Sequence, residues 1–568
     1  MKKRIAILGG GASGLFMYKR MVESEVKNIE IDIFERKDKI GGGMPYSDEG
    51  ANDEHITNVS GNEIPQIVTH ISEWVHTSPK ELLSRFSIDP DKFSEYKVLP
   101  RLFFGHYLSS QFELLQVKAK QGGLVTRLHL NTNVTDVIDR PEHEEVWVKT
   151  EDENIAKFDY IIISTGHHWP KKHEGKVSGY FDAPYPPSKL VLKINHPVAI
   201  RGSSLTAIDA IRTLSRSNGK FEQHQNGSIK FILDDNSKDF RIMMHSRNGM
   251  LPAVRFHLES THLLNKSLLT REQISDHISD NDGFLSLDFI FEKDFKDLLK
   301  DKDPDFYESI KTKNLEQFVE SAMELRERLD PFTLFKAEYR EAEKSIKRHK
   351  SIYWKEMLAV LSFAMNYPAK YLSAEDMQRL HHVLLPLISI VIAFVPQNSC
   401  KELIALHDAG ILDITSVGSD SEIEIGTRGG ITYHYVNNDE QKQSVYYRTF
   451  VDCIGQPHLS YKDFPFKSLL AKKTVTPARL KFKSAEEGQK LKADGHPEVH
   501  RDKNGDYYLS VSGITINDDF QILDEYGAYN SRIFIMAIPY IGGYNPDYSG
   551  LDFCEAASAR IAKSIIEN

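Results

Sequence analysis

The spacing of apolar positions changes period several times along the chain, and each change predicts an element. Ile5-Ala6-Ile7-Leu8 is an unbroken apolar run of the length a buried strand needs. A glycine turn and a helical stretch follow, and Ile29-Glu30-Ile31-Asp32-Ile33-Phe34 predicts a second strand. Residues 63–122 read mainly as helix, with Pro100-Arg101-Leu102 opening an amphipathic one. Residues 128–137 and 145–150 alternate as half-buried strands do. Residues 158–163 form another apolar run and end in Ser164-Thr165-Gly166. Residues 197–209 repeat the opening order of strand, small-residue turn and helix, with 240–245 as the partner strand after an insertion near 217–238. Residues 255–410 are charged and mostly helical. Strand patterns return at 411–425, 431–436 and 445–454, and a last strand at 532–538 leads to a final helix over 554–566.

Strand, turn and helix alternating twice over predict an α/β fold of two Rossmann-like, three-layer dinucleotide-binding domains with a large helical insertion. The expected division is a first domain from residues 1–190, the start of a second from 191–254, and the helical insertion from 255–410. Return strands of the second domain would follow at 411–460, with 461–568 completing the first.

Gly9, Gly11 and Gly14 stand as G-x-G-x-x-G between strand and helix. The first glycine allows the tight turn, the second lets a pyrophosphate approach the backbone, and the third lets helix and strand pack closely. The helix opening at Ala12 and Ser13 offers free N–H groups to phosphate. Glu35, 21 residues after Gly14, is placed to accept hydrogen bonds from ribose hydroxyls, with Arg36 beside it. Gly41-Gly42-Gly43-Met44 either approaches a cofactor or is a flexible loop. Thr165 and Gly166 sit at a strand's carboxyl end, which faces the ligand crevice in such sheets. Arg101 reaches a phosphate or caps its helix. The adjacent His167 and His168 point apart on extended chain and form no metal pair.

The second turn is degraded. Gly202 remains, Ser204 replaces the second glycine, Ala207 the third, and Leu205-Thr206 open the helix. Its partner strand ends in Ser246-Arg247, where arginine suits a ribose 2′-phosphate better than an acid would. That favours NADPH over NADH; a vestigial unit without a nucleotide is the alternative. Gly550-Leu551-Asp552 at the last helix offers further N–H groups to an anion or a flavin oxygen.

Composition narrows the function. The 568 residues are 40% hydrophobic and 27% charged with net charge −10, which argues against a general nucleic-acid binder. Cys400, Cys453 and Cys554 form no C-x-x-C pair and no metal cluster, as a reducing cytoplasm expects. The longest apolar run, 383–395, contains Pro386 and is too short to span a bilayer, so it reads as a buried anchor for the insertion.

Together these pieces resemble the bacterial FAD/NAD(P)-binding flavoproteins with a long helical insertion, relatives of the lysine/ornithine N-monooxygenases and flavin-containing monooxygenases. The resemblance rests on Gly9 to Gly14 with Glu35, Gly42 to Tyr46, Asn58-Val59, Pro100-Arg101, Ser164 to Gly166, Ser246 to Pro252, Cys453 to Gly455 and Gly550 to Phe553. It implies that Gly9, Gly11, Gly14 and Glu35 hold the ADP half of FAD, with Val134 backbone near adenine. Thr165, Gly166 and residues 550–552 would lie along FAD, and Gly202 to Thr206 with Arg247 would hold NADPH. It names no catalytic acid or base and no metal. The expected reaction is an FAD-dependent, NAD(P)H-reduced monooxygenation of a small amine or other heteroatom, with O2 as partner. The alternatives are an NAD(P)H-dependent flavin oxidoreductase with a non-oxygen acceptor, or a flavoprotein whose insertion binds a partner. The insertion is expected to lie over the crevice between the nucleotide sites.

Overall fold

A computed structural model describes residues 2–567 except 25, 27, 167–168, 226, 260–267, 438, 457–458 and 547–549. The expectation for His167 and His168 therefore lies outside the described residues.

The first unit runs β1 (Lys3–Leu8), α1 (Ala12–Glu23), β2 (Ile29–Phe34), α2 (Arg101–Gln121) and β3 (Val125–His129). An antiparallel meander follows, β4 (Val134–Arg140), β5 (Glu145–Thr150) and β6 (Ile155–Phe158), before β7 (Tyr160–Ile163) returns to the sheet. The second unit has the same plan: β8 (Tyr180–Phe181), β9 (Pro197–Arg201), α3 (Leu205–Asn218), the hairpin β10 (Gly219–Gln223) and β11 (Ile229–Leu233), then β12 (Arg241–Ser246). The insertion helices used below are α4 (Arg271–Asp280), α5 (Tyr353–Ala364) and α6 (Gln397–Asp408). After them come β13 (Leu412–Ser416), the meander β14 (Glu422–Ile425), β15 (Ile431–Val436) and β16 (Lys442–Tyr447), and β17 (Thr449–Asp452). The chain ends with β18 (Pro477–Lys481), β19 (Val499–Arg501), β20 (Tyr507–Ile514), β21 (Gln521–Leu523), β22 (Tyr529–Ile535) and α7 (Gly550–Glu567).

The first sheet has the order β21-β22-β7-β1-β2-β3, and the second β8-β17-β9-β12-β13. The cores of the two sheets, β7-β1-β2-β3 and β17-β9-β12-β13, are the same parallel arrangement. Parallel strands covered on both faces must be apolar throughout, and Ile5 to Leu8 and Ile161 to Ile163 are buried accordingly. β8 pairs with β17, so the second sheet takes up chain well before the division expected at residue 190.

β12 and β13 are parallel neighbours, so everything between them is one enlarged crossover connection. Its two stems meet: Val254 bridges Val395, and Arg255 N–H donates to the Val395 carbonyl at 2.9 Å. The apolar run expected as its anchor is buried at Leu387, Ile388 and Val391. These side chains share one continuous core with the first sheet. No described helix is long and apolar enough to cross a membrane.

Candidate functional site

Gly9 and Gly202 occupy equivalent corners of the two units. Gly9 has φ +109° and Gly202 φ +107°, conformations that L side chains rarely adopt. A Cβ on Gly9 would stand 2.6 Å from the Ser164 carbonyl oxygen, and one on Gly202 2.7 Å from that of Cys453. Each glycine N–H donates to the last carbonyl region of its neighbouring strand, Gly9 to Phe34 at 2.9 Å and Gly202 to His245 at 2.8 Å. The degraded second motif therefore builds the same turn as the intact first one.

In the first unit, Gly11 is the N-cap of α1, without a side-chain cap and without an acid in the first turn. Leu15 N–H makes the first helical bond to the Gly11 carbonyl, so the amides at Ala12, Ser13 and Gly14 lead the helix. A Cβ on Gly14 would lie 2.0 Å from the Gly9 carbonyl oxygen, so this position requires glycine. The Gly41 to Gly43 loop closes over the turn: Gly41 N–H donates to the Gly10 carbonyl at 2.7 Å, and a Cβ on Gly11 would be 3.3 Å from the Gly43 Cα. Met44 continues that loop, half-buried.

The Glu35 carboxylate is buried and fixed by backbone, accepting from Gly10 N–H at 2.7 Å and Lys37 N–H at 3.0 Å. Each oxygen keeps a second lone pair for a ribose hydroxyl. Arg36 points away, exposed, and pairs with Glu49. Thr165 Oγ1 is buried without a hydrogen-bond partner, and the space beside Gly166 is open. A buried hydroxyl without a partner is costly unless a ligand supplies one. Asn58 is exposed with its carbonyl engaged by Arg255, and Val134 opens β4 opposite Thr150. Gly550 begins α7 at the surface and Leu551 is buried. Ser13 Oγ and Cys554 Sγ lie 3.3 Å apart, which joins α7 to the first turn of α1. Burial pushes that thiol up to about 11. Uncapped, acid-free helix start, glycine cradle, fixed carboxylate and orphan hydroxyl together fit an adenine dinucleotide such as FAD.

The second site is simpler. Ser204 is the N-cap of α3 in extended conformation, again without an acid in the first turn formed by Leu205 and Thr206. Ser203 Oγ donates to the Met250 carbonyl, which ties the turn to the loop after β12. Ser246 Oγ is buried without a partner, and Arg247 beyond it is exposed. His245, stacked on Tyr433 at 4.3 Å, is lowered to about 4 by burial, so it is a neutral core ring.

Arg101 links the two units. Its guanidinium pairs with Asp209 at 2.6 Å, and Nε donates to the Ile56 carbonyl. Asp209 lies on α3 and also accepts from Tyr185 at 2.8 Å. Burial alone would raise the Asp209 carboxyl, but Arg101, His55 and Tyr185 outweigh it and hold the group below its usual range. No local pattern marks Asp209 or Tyr185 as partners of this site, because Arg101 and Asp209 lie 108 residues apart and such a pairing leaves no periodic mark. No described group of three His, Cys, Asp or Glu residues has metal-site geometry.

Comparison with known proteins agrees with this geometry. Residues 6–168 match the family of FAD-NAD(P)-binding domains, and residues 270–392 match the YdhS-like middle domain. The chain is 28% identical over 475 residues to the uncharacterised protein YdhS of Escherichia coli, covering 82% of this chain and 86% of that one. It is 30% identical over 173 residues to flavin-containing monooxygenase 5 of Rattus norvegicus, covering 29% and 28% of the two chains. Over 176 residues it is 27% identical to trimethylamine monooxygenase of Pelagibacter ubique, covering 29% and 36%. The matched stretch spans roughly a third of each monooxygenase.

Proposed function

We propose that this chain, an FAD/NAD(P)-binding flavoprotein oxidoreductase with a YdhS-like middle domain, is an NADPH-reduced monooxygenase acting on a small nucleophilic amine or other heteroatom. The observation that carries the reading is the duplicated turn. Gly9 and Gly202 have the same conformation and the same contact, so each unit presents a bare helix start to a dinucleotide. Bound FAD would supply electron transfer from NADPH and activation of O2. The chain's own task is to bind, orient and exclude water. Glu35 and the glycine cradle hold the ADP half, Thr165 donates or accepts along the cofactor, and Arg247 recognises the 2′-phosphate.

Two further features favour oxygen as the acceptor. Two of the matched relatives are monooxygenases, one of them of trimethylamine. The three cysteines are buried and unpaired, so no dithiol stands ready to take electrons. The test is to reduce the purified protein anaerobically with NADPH, admit O2 with trimethylamine or other small amines, and measure product per NADPH. Product formation matched to NADPH consumption supports the reading. Peroxide equal to NADPH consumed, with no oxygenated product, points to a different acceptor. Absence of flavin reduction points to a binding role.

A further inference from the structure

A cavity of about 270 Å³ lies between the insertion and α7, walled by the end of α5, the segment before β21 and the outer face of α7. α7 has two working faces. Cys554 and Glu555 meet α1, through Ser13 and through Lys19 and Arg20. Phe553, Ala557 and Arg560 line the cavity instead. α7 therefore stands between the cavity and the helix that begins at the first glycine turn. Much of the lining is apolar, with Leu269, Ile274, Phe363, Phe520 and Phe553 around it.

The polar end is built around one ring. Tyr367 has three cations against it: Arg560 at 4.0 Å, Lys370 at 4.7 Å and Arg271 at 5.2 Å from the ring centroid. Two carboxylates answer them. Asp518 pairs with Lys370 at 2.7 Å and accepts from Tyr371 at 2.8 Å and from Tyr367. Asp519 reaches Arg271 at 4.0 Å. Among the described residues no carboxylate lies within 4.0 Å of Arg560, although its guanidinium carries five donors. Burial first, and Arg271 next, make its charge less favourable than usual. A cation there, beside an apolar cavity and balanced by Asp518 and Asp519 only beyond contact distance, suits an anion.

We infer that this cavity binds a small amphipathic monoanion, a carboxylate with a short apolar chain, whose head pairs with Arg560 and whose tail lies against Phe520 and Phe553. Asp294, on the π-helical turn Glu292–Lys296, faces the same cavity and accepts from Leu269 N–H at 2.9 Å. It repels an anion from its own side and so sets the orientation, head toward Arg560. Burial pushes its carboxyl up to about 6, so anion binding tightens as pH falls through that value, with Asp518, Lys370 and Arg560 the other charges lining the space and the Arg271–Asp519 pair beside them.

The experiment is calorimetric titration of the FAD-loaded protein with octanoate, with 1-octanol and octylamine as uncharged and cationic probes of the same length. Octanoate is expected to bind wild type and to weaken about 10- to 100-fold in Arg560→Gln, with octanol unchanged. Asp294→Asn is expected to tighten octanoate at pH 7. Ala557→Phe, which fills the cavity and leaves Arg560 in place, is expected to remove all binding. Melting curves of each variant identify any that has unfolded, and the filled variant keeps the test intact if Arg560→Gln does. Octanoate bound no better than octylamine, or bound equally by Ala557→Phe, overturns the assignment. Because the readout is binding, oxygenase activity has no bearing on the outcome.

Discussion

The guanidinium of Arg101 lies 2.6 Å from the carboxylate of Asp209, and this contact fastens the start of α2 in the first unit to α3 in the second. Both partners are largely removed from water, and Tyr185 and the Ile56 carbonyl satisfy part of what remains. Removing one partner strands the other charge. Arg101→Ala or Asp209→Ala should each cost about 3–5 kcal/mol in denaturant unfolding, whereas Arg101→Met with Asp209→Leu should cost much less. A loss in the double variant equal to the sum of the two single losses would mean the pair is not coupled.

The first glycine turn leaves no room for a side chain. Gly11 faces Gly43 so closely that a Cβ would already stand 3.3 Å from its Cα, and an indole there must occupy the cradle. Gly11→Trp should therefore purify colourless, with FAD absent from the absorbance spectrum. Circular dichroism should show secondary structure retained. Full flavin occupancy would remove the assignment of this turn.

These two sites differ in how far the sequence reveals them. The strand from Ile5, the turn and Glu35 are local in the chain, so period and spacing display them, and the structure places them together. The degraded turn at Gly202 was legible for the same reason. Hairpin β10–β11 has no such local mark, because Phe221 and Phe231 face one another within a segment that is polar at both ends. Arg101 stands out in the sequence and its partner does not. Asp209 and Tyr185 reach it only after two units dock, and no short-range pattern records docking. The cluster at Tyr367 is illegible likewise, since it joins residues 271, 370, 518 and 560.

Arg247 is exposed at the end of the second partner strand, where a 2′-phosphate would lie. A guanidinium pairs bidentately with phosphate and has no equivalent contact with a hydroxyl. Arg247→Ala should raise the KM for NADPH by roughly 10- to 100-fold, from the ~1.5–3 kcal/mol of such a bond. The KM for NADH should barely move. Equal effects on both cofactors would assign Arg247 a structural role.

Glu356 on α5 supplies a pH-dependent term. It is buried, its Oε2 has no hydrogen-bond partner, and burial raises its carboxyl to about 7, with Glu259 adding to the shift. A folded value above the unfolded one means the folded state holds the proton more tightly. Stability is therefore complete below about pH 4.3, the unfolded value, and declines as pH rises through about 7. Glu356→Gln should raise stability at pH 8 by about 2–3 kcal/mol and leave it nearly unchanged at pH 4. Denaturant midpoints of both proteins from pH 4 to 8 check this, and parallel curves would refute it.

The insertion offers the broadest test, and the structure sets where to cut. α6 must stay, because Glu402 accepts from Arg212 at 2.8 Å and from Arg216 at 2.7 Å, and both arginines lie on α3. The stems also must stay, since Ala253 to Arg255 and Val395 hydrogen-bond to one another. Their proximity lets a flexible linker of about eight residues replace 257–393. Such a chain exposes Phe520, Phe553 and other apolar groups that pack against the insertion, so it should melt at lower temperature while keeping some FAD. If the helices shield the crevice between the two nucleotide sites, water enters once they are gone. NADPH would then be consumed with release of peroxide in place of product. The measurement is product and peroxide per NADPH in the shortened and full-length proteins. A soluble shortened protein with unchanged coupling would show that the insertion is no lid and that its outer helices serve a partner.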